Sequence, residues 1–409
     1  MIPNTYFERY AYSKRFIDEI IVDNTFLSVV IPVFKEDNLI ATLESLDNCE
    51  PTTFPVEVIL VINHPEDATQ EVKELSESVS EEINVFRSRK KSDFITFHLI
   101  KAYDLPKKQA GVGLARKIGM DEASYRFNTN QRDGIIVCFD ADSICESNYL
   151  KSIESHFLKN PLSVGSSIHF EHPIHKEGES NLPIILYELH LRYYVQGLKY
   201  AQYPFAYHTI GSSMAVKSSV YQKQGGMNQR KAGEDFYFLH KIIPLGNFTN
   251  INSTKVIPSP RISDRVPFGT GRAMGEYEMD QKDLTSSYNF LIFKELKSFI
   301  LQIEDDCFPS NCSQSIQHFI TANNFEDSIT KIRQQSKNKA HLRDRFFQWF
   351  NGFRVLKCVH FLRDHYYPNQ ALETGVMNLF SEIEELKKYS KELSAEKQLV
   401  IMRKYERSL

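Results

Sequence analysis

The chain has 409 residues, 42% hydrophobic and 25% charged, with 49 Lys and Arg against 52 Asp and Glu for a net charge of −3. This balance excludes disordered, collagen-like and fibrous classes, and it lacks the basic footprint that a nucleic-acid partner demands. The length exceeds what one core normally serves, so the expected division is an N-terminal extension over residues 1–25, a main domain over 26–275 and a helical C-terminal region over 276–409.

In chain order, LSVVIPVF at 27–34 reads as a fully buried strand ended by Pro32, followed by a helical pattern through Leu39, Leu43 and Leu46. VEVILVI at 56–62 is a second buried strand, and the helix after it is expected to open at Pro65 with acids in its first turn. FITFHLI at 94–100 is a third strand, LARKIGMDEASYRF a helix, and GIIVCF at 134–139 a fourth strand running straight into Asp140-Ala141-Asp142. Strands alternating with helices predict an α/β fold with a mostly parallel, helix-flanked, Rossmann-like sheet whose ligands bind at the carboxyl ends of its strands. SVGSSIHF and HTIGSSMAV read as further strands, separated by an apolar helix over 182–200 that is assigned to an acceptor-side half. Beyond about residue 275 only helical segments are expected. The basic run RSRKK at 87–91 reads as a solvated loop.

Six cysteines (Cys49, Cys138, Cys145, Cys307, Cys312, Cys358) form no C-x-x-C pair. Several sit in apolar runs, where a free thiol packs as a small hydrophobe, so a reducing cytoplasm is the expected setting. The N-terminus carries scattered charges and no apolar core, unlike a secretory signal. No uninterrupted apolar run reaches the roughly 18 residues a membrane helix needs, so any membrane contact is expected to be peripheral.

Asp140 and Asp142 flank one small residue at a strand end, where two carboxylates can hold a hard divalent cation beside a diphosphate. Glu234 and Asp235 stand at the start of a predicted helix after Gly233. Acids there serve equally as helix caps or, with Gly225-Gly226 and Gly233 permitting close backbone approach, as part of a substrate site. AGVGLARKIG at 110–119 fails the dinucleotide pattern because Arg116 stands where the last glycine belongs, and no phosphate-binding G-x-x-x-x-G-K-[ST] loop is present. SDRVPFGTGRAM at 263–274 reads either as a surface turn or as a flexible loop whose Arg265 and Arg272 close over an anionic leaving group. No H-x-x-x-H or H-E-x-x-H pair supports zinc chemistry, and His240 is read as packed or solvated. Tyr187, Tyr193, Tyr194, Tyr200, Tyr203 and Tyr207 suit a core helix, an acceptor groove or a membrane surface.

Taken in order, FLSVVIPVFKED, VEVILVINHPEDAT, GVGLARKIGMDEA, IIVCFDADS, IGSSMAVKSSVYQKQGGM and AGEDFYFLHKI make residues 26–245 resemble the inverting family 2 glycosyltransferases of the GT-A fold. The resemblance implies that a sugar moves from a nucleotide-diphospho-sugar to an acceptor hydroxyl. By it, Pro32 and Glu36 help hold the nucleotide base, Arg116 and Lys117 lie at the nucleotide site, and Arg265 and Arg272 belong to a mobile diphosphate-closing segment. Asp140 and Asp142 would bind Mg2+ or Mn2+ on the donor diphosphate, and Asp235, beside Glu234, would be the general base. The family's second strand usually ends in aspartates that contact the base; here Asn63 stands there and offers an amide instead. The expected donor is a UDP-sugar before a GDP-sugar, and the acceptor a glycan or a lipid-linked acceptor. Asp264 is the candidate for a third metal ligand. The C-terminal helices are read as pairing two chains into a homodimer, covering the acceptor cleft, or docking on the inner membrane face. The competing readings are a catalytically silent sugar-binding or scaffold relative and a sugar nucleotidyltransferase.

Overall fold

The computed structural model describes residues 4–36, 39–176, 179–262, 269–279, 283–305, 307–389 and 392–409. Helix α1 (Thr5–Arg9) starts at Asn4, whose side chain accepts from the Tyr6 amide at 2.9 Å. Then follow β1 (Leu27–Val33), α2 (Leu39–Asp47), β2 (Val56–Pro65), α3 (Gln70–Arg89), β3 (Ile95–Leu105), α4 (Val112–Thr129), β4 (Ile135–Cys138), β5 (Ile144–Cys145), α5 (Tyr149–Lys159) and β6 (Gly165–Phe170). The chain continues through β7 (His175–Lys176), β8 (Glu179–Ser180) and α6 (Leu182–Tyr200) to β9 (Met214–Lys217), α7 (Ser218–Lys223), α8 (Glu234–Ile242), β10 (Phe248–Ile257) and α9 (Thr270–Glu278). After β11 (Ser286–Ser287) come α10 (Phe290–Leu301), α11 (Gln314–Ala322), α12 (Glu326–Gln334), α13 (Lys339–Trp349) and α14 (Gly352–His365), then β12 (Gln370–Ala371), α15 (Leu372–Phe380) and α16 (Ala395–Ser408).

Two compact units result: Met1–Pro173 with Thr209–Arg272, and Ile174–His208 with Ala273–Leu409. The first holds an eight-stranded sheet in the order β3-β2-β1-β4-β9-β6-β10-β5. The pairs among β3, β2, β1 and β4 are parallel, as is β6 with β10, while β9 runs antiparallel between β4 and β6. β1, β2 and β4 are apolar and almost wholly buried, as a parallel sheet covered on both faces requires. The α/β class, with a helical part following the sheet, is as expected.

Local differences have physical reasons. Pro32 does not end β1 but lies inside it, in register with Val61; pairing with β4 stops at Val30, so the strand there has one neighbour and the missing N–H is tolerated. β2 runs on to Pro65 and α3 begins only at Gln70. Arg87 and Arg89 of the basic run close the last turn of α3, where cations complement the helix dipole, rather than lying in a loop. β10 was not anticipated: its polar sequence, FTNINSTKVI, hides an edge-side strand.

Helix α4 is buried along most of its length and carries charges that find partners inside the unit. Asp121 accepts from the Tyr12 amide at 2.7 Å and the Tyr221 hydroxyl at 2.6 Å, and Arg126 donates from Nε to Glu57 at 3.0 Å and from Nη1 to the Glu19 carbonyl at 2.7 Å. The N-terminal residues are thereby tied to α4.

The second unit has its own apolar core, built from α6, α10, α11, α12, α13, α14, α15 and α16. Tyr193 and Tyr203 are buried in it and Tyr187, Tyr194 and Tyr200 pack against it, so the tyrosine stripe of α6 is core, and α6 belongs to this unit rather than to the sheet's. A buried ionic cluster joins α6 to α16: Arg192 Nε and Arg403 Nε each lie 2.8 Å from Glu188 Oε1, Arg192 also pairs with Glu406, and Gln196 donates to Glu406 at 2.8 Å. Burial alone would raise the Glu406 carboxyl, but Arg192 and His208 hold it far below the usual range. No helix among the described residues is long and apolar enough to cross a membrane.

Candidate active site

The site forms where β1, β2 and β4 end. After β1 the chain turns through Lys35, at φ +49°, and presents Glu36, whose side chain is 2% exposed. At the end of β2, Asn63 is equally buried, and its Oδ1 has no hydrogen-bond partner among the described residues. Beyond β4 come Asp140 and Asp142, with side chains 39% and 28% exposed. Their turn is fixed from two sides: Thr42 Oγ1 of α2 donates to the Ala141 carbonyl at 2.8 Å, and the Ser143 amide donates to the Asp140 carbonyl at 3.1 Å.

Arg116 of α4 ties this turn to the start of α8. Its Nη2 donates to Asp140 Oδ1 at 2.6 Å and its Nη1 donates to Glu234, with the guanidinium buried. Asp235 is the next residue, and Gly211 is what lets it come close. A Cβ on Gly211 would lie 2.9 and 3.0 Å from the two Nη atoms of Arg116 and 3.1 Å from Asp235 Oδ2, so guanidinium and carboxylate share the space a side chain would take. Asp235 Oδ1 also accepts from the Phe236 amide at 2.7 Å. Three acidic groups, Asp140, Glu234 and Asp235, therefore lie around one cation. Burial pushes Glu234 up to about 7, with Arg116 opposing and Asp235 and Asp140 adding to the rise. Burial likewise raises Asp235 above the ordinary aspartate value, against Arg116 and the Phe236 and Gly211 amides. Arg116 is held charged: burial works against it, but Glu234 and Asp140 outweigh that.

A second arginine, Arg261, follows β10. Its Nη1 donates to Glu36 Oε1 at 2.7 Å, its Nη2 also pairs with Glu36, and the same Nη2 lies 2.9 Å from Asp142 Oδ2. Arg261 and Gly211 were not singled out from the sequence. Arg261 sits in PSPRIS just outside the stretch read as a basic loop, and Gly211 in IGSS gave no signal beyond being a glycine.

Of the residues expected at the site, Glu36, Arg116, Asp140, Asp142, Glu234 and Asp235 are brought together through these two arginines. Pro32 and Asn63 lie in the adjoining strands. Lys117 is placed elsewhere: its ammonium lies 2.9 Å from Asp121 and 3.3 Å from the Tyr6 hydroxyl, within the packing between α4 and the N-terminal residues. Arg272 is in the first turn of α9 and half-buried. Arg265 and Asp264 lie outside the described residues. His240 packs on the Phe236 ring, centroids 5.0 Å apart. The glycine stretch of α4 makes no phosphate cradle, because the space over Gly113 is filled by the Arg230 backbone carbonyl.

Among the described residues no three His, Cys, Asp or Glu side chains converge as a ready cation cage. Asp140 and Asp142 supply hard oxygen donors at a partly exposed turn, which suits a divalent cation that draws its remaining ligands from water and a bound phosphate.

Residues 28–223 match the model of the family described as glycosyl transferase family 2. This part of the chain is a family 2 glycosyltransferase domain. The matched stretch contains Glu36, Asn63, Arg116, Asp140, Asp142 and Gly211, while Glu234, Asp235 and Arg261 follow it. The helix-flanked, mostly parallel sheet with helices after it is the GT-A class expected for such a glycosyltransferase. Among solved structures the chain is similar to a fragment of S. aureus TarS in complex with UDP-GlcNAc, at TM-score 0.38 and 12% identity, covering 94% of this chain and 89% of that one. The same fragment in complex with UDP gives TM-score 0.37 and 12% identity over 94% and 92%. Longer S. aureus TarS gives 0.32 and 12% over 89% and 50%. No curated protein matches the sequence.

Proposed function

We propose that this glycosyltransferase moves a sugar from a nucleotide-diphospho-sugar to an acceptor hydroxyl with inversion, and that Asp235 is its general base. The observation that carries the reading is the buried guanidinium of Arg116 shared by Asp140, at the tip of β4, and Glu234, at the start of α8, with Asp235 on the other side of the Gly211 Cα hydrogens. It supports a division of labour. Glu234 is buried and committed to Arg116, whereas Asp235 is half-buried and open to a substrate. A carboxylate whose proton affinity burial has raised is better matched to removing a hydroxyl proton as that oxygen attacks the anomeric carbon. In-line attack inverts configuration and needs no covalent intermediate on the protein.

Asp140 and Asp142 are the residues that would hold Mg2+ or Mn2+ with the donor diphosphate. A cation bound there supplies charge neutralisation for the departing nucleoside diphosphate. Arg116 keeps Asp140 oriented toward that task. Asn63, with a buried and unpartnered Oδ1, suits the hydrogen-bonding edge of a nucleobase; a UDP-sugar is the proposed donor before a GDP-sugar, and a glycan or lipid-linked hydroxyl the proposed acceptor. The setting proposed is the cytoplasm, in keeping with free cysteines.

The test is a thermal-shift panel of UDP-, GDP-, dTDP- and CDP-sugars, with and without Mn2+, since selective binding raises apparent stability by mass action. A Mn2+-dependent rise with UDP-sugars, lost in Asp142→Asn, supports the reading. A folded protein that responds to none of them sinks it.

A further inference from the structure

Glu36 and Asp142 approach the site from different strand ends, and one guanidinium bridges them. Glu36 is 2% exposed, and a carboxylate so buried needs a counter-ion. Arg261 provides it through both terminal nitrogens, and its Nη2 at the same time lies 2.9 Å from Asp142 Oδ2. The other arginine of the site differs. Arg116 is locked between Glu234 and Asp140 in the interior, while Arg261 is 29% exposed and sits on a segment that has already left the sheet. Of the two, Arg261 is the more exposed.

We propose that Arg261 is a donor-binding residue that couples cation binding to donor binding. This rests on the reading of Asp142 as a cation ligand. Without donor, the Arg261 guanidinium occupies the Asp142 carboxylate and repels a divalent cation from it. A nucleoside diphosphate offers oxygens for which a planar guanidinium is well matched. Arg261 then keeps Nη1 on Glu36 and passes Nη2 from Asp142 to the diphosphate, which frees Asp142 for the cation and puts a positive charge on the leaving group. Cation and donor thereby bind with positive coupling, and the empty enzyme holds the cation only weakly.

The experiment is Mn2+ binding, followed by electron paramagnetic resonance of free Mn2+ and by calorimetry, with Mn2+ alone and with Mn2+ plus UDP. The expected results are weak binding by the wild type without UDP and tight binding with it. Arg261→Gln is expected to bind Mn2+ alone about tenfold more tightly than the wild type, within the usual range of coupling between sites, and to lose most of the enhancement by UDP. Arg261→Lys, which keeps the charge, is expected to stay close to the wild type without UDP. Because Arg261→Gln leaves Glu36 buried without its partner, the double variant Glu36→Gln/Arg261→Gln removes both charges and is expected to show the same gain. A tighter cation site is not a result that loosened structure would produce. If Arg261→Gln and the double variant bind Mn2+ alone no better than the wild type, while Asp142→Asn abolishes Mn2+ binding with UDP, the coupling role falls and the cation site stands. If neither wild type nor variants bind Mn2+ with UDP, the cation site itself falls and the coupling role with it.

Discussion

Arg116 reaches Asp140 across 2.6 Å, so a residue buried in helix α4 fixes the carboxylate at the tip of β4. The same guanidinium holds Glu234, and through Gly211 it touches the space beside Asp235. The site is thus organised around a cation that never meets solvent. Its carboxylates are set by the protein before any ligand arrives, which is the preorganisation that electrostatic catalysis requires.

The first consequence concerns Gly211. Gly211→Ala places a methyl group 2.9 to 3.1 Å from Arg116 and Asp235, closer than ordinary carbon contacts, so one of the two must shift. The expected outcome is a fall in kcat smaller than the roughly 10²-fold that a full ångström of misplacement costs, because the neighbours need to give by only a few tenths of an ångström. Circular dichroism and UDP-dependent thermal shift should stay near wild type. Unchanged kcat would mean that the contact does not position Asp235.

Acidity gives a second test. As the proposed base, Asp235 would have to be ionised to accept a proton, and burial raises it above the ordinary aspartate value of 3.8. Activity is therefore complete above the raised value and is lost as pH falls through it. The acid limb of kcat/KM should have its midpoint above the ordinary aspartate value. A limb at or below the unperturbed value would contradict the environment described.

Glu234 links pH to stability with the opposite slope from a salt-bridged surface acid. Its folded value is about 7 against 4.5 for the ordinary group, so between these the folded state holds more proton than the unfolded chain. Stability from this group is present below pH 4.5 and is lost as pH rises to about 7. Urea unfolding at pH 5 and pH 8 should show a larger loss in the wild type than in Glu234→Gln. Equal losses would argue against a raised Glu234.

The parallel strands and the carboxylate positions were legible in the sequence because both rest on local signals. LSVVIPV, VEVILVI and IIVC are continuous apolar runs, and a buried strand leading straight into Asp140-Ala141-Asp142 marks a ligand-facing edge. What was not legible depends on partners distant in the chain. Nothing in the sequence around Arg403 and Glu406 marks them as interior, yet they are buried because Glu188 and Arg192 of α6 meet them. Lys117 stands next to Arg116, but a helical step of one residue turns it away, toward Asp121 and Tyr6. Arg261 carries no motif, and its contacts arise because the path after β10 brings it to Glu36 and Asp142.

The buried cluster of the second unit predicts a cost of its own. Arg192→Met leaves Glu188 and Glu406 without their shared guanidinium, in a setting where removal of one partner typically costs about 3–5 kcal/mol. Denaturant unfolding should register a destabilisation of that order, and a change under about 1 kcal/mol would mean that Arg403 alone suffices.

The most direct test of the whole account is turnover of a UDP-sugar with Mn2+ by wild type and Asp235→Asn, followed as UDP release with acceptor present and paired with calorimetry of donor binding. The account predicts release by the wild type, a loss of at least roughly 10²-fold in the variant, and donor affinity that is little changed. Transfer by Asp235→Asn at the wild-type rate would contradict it.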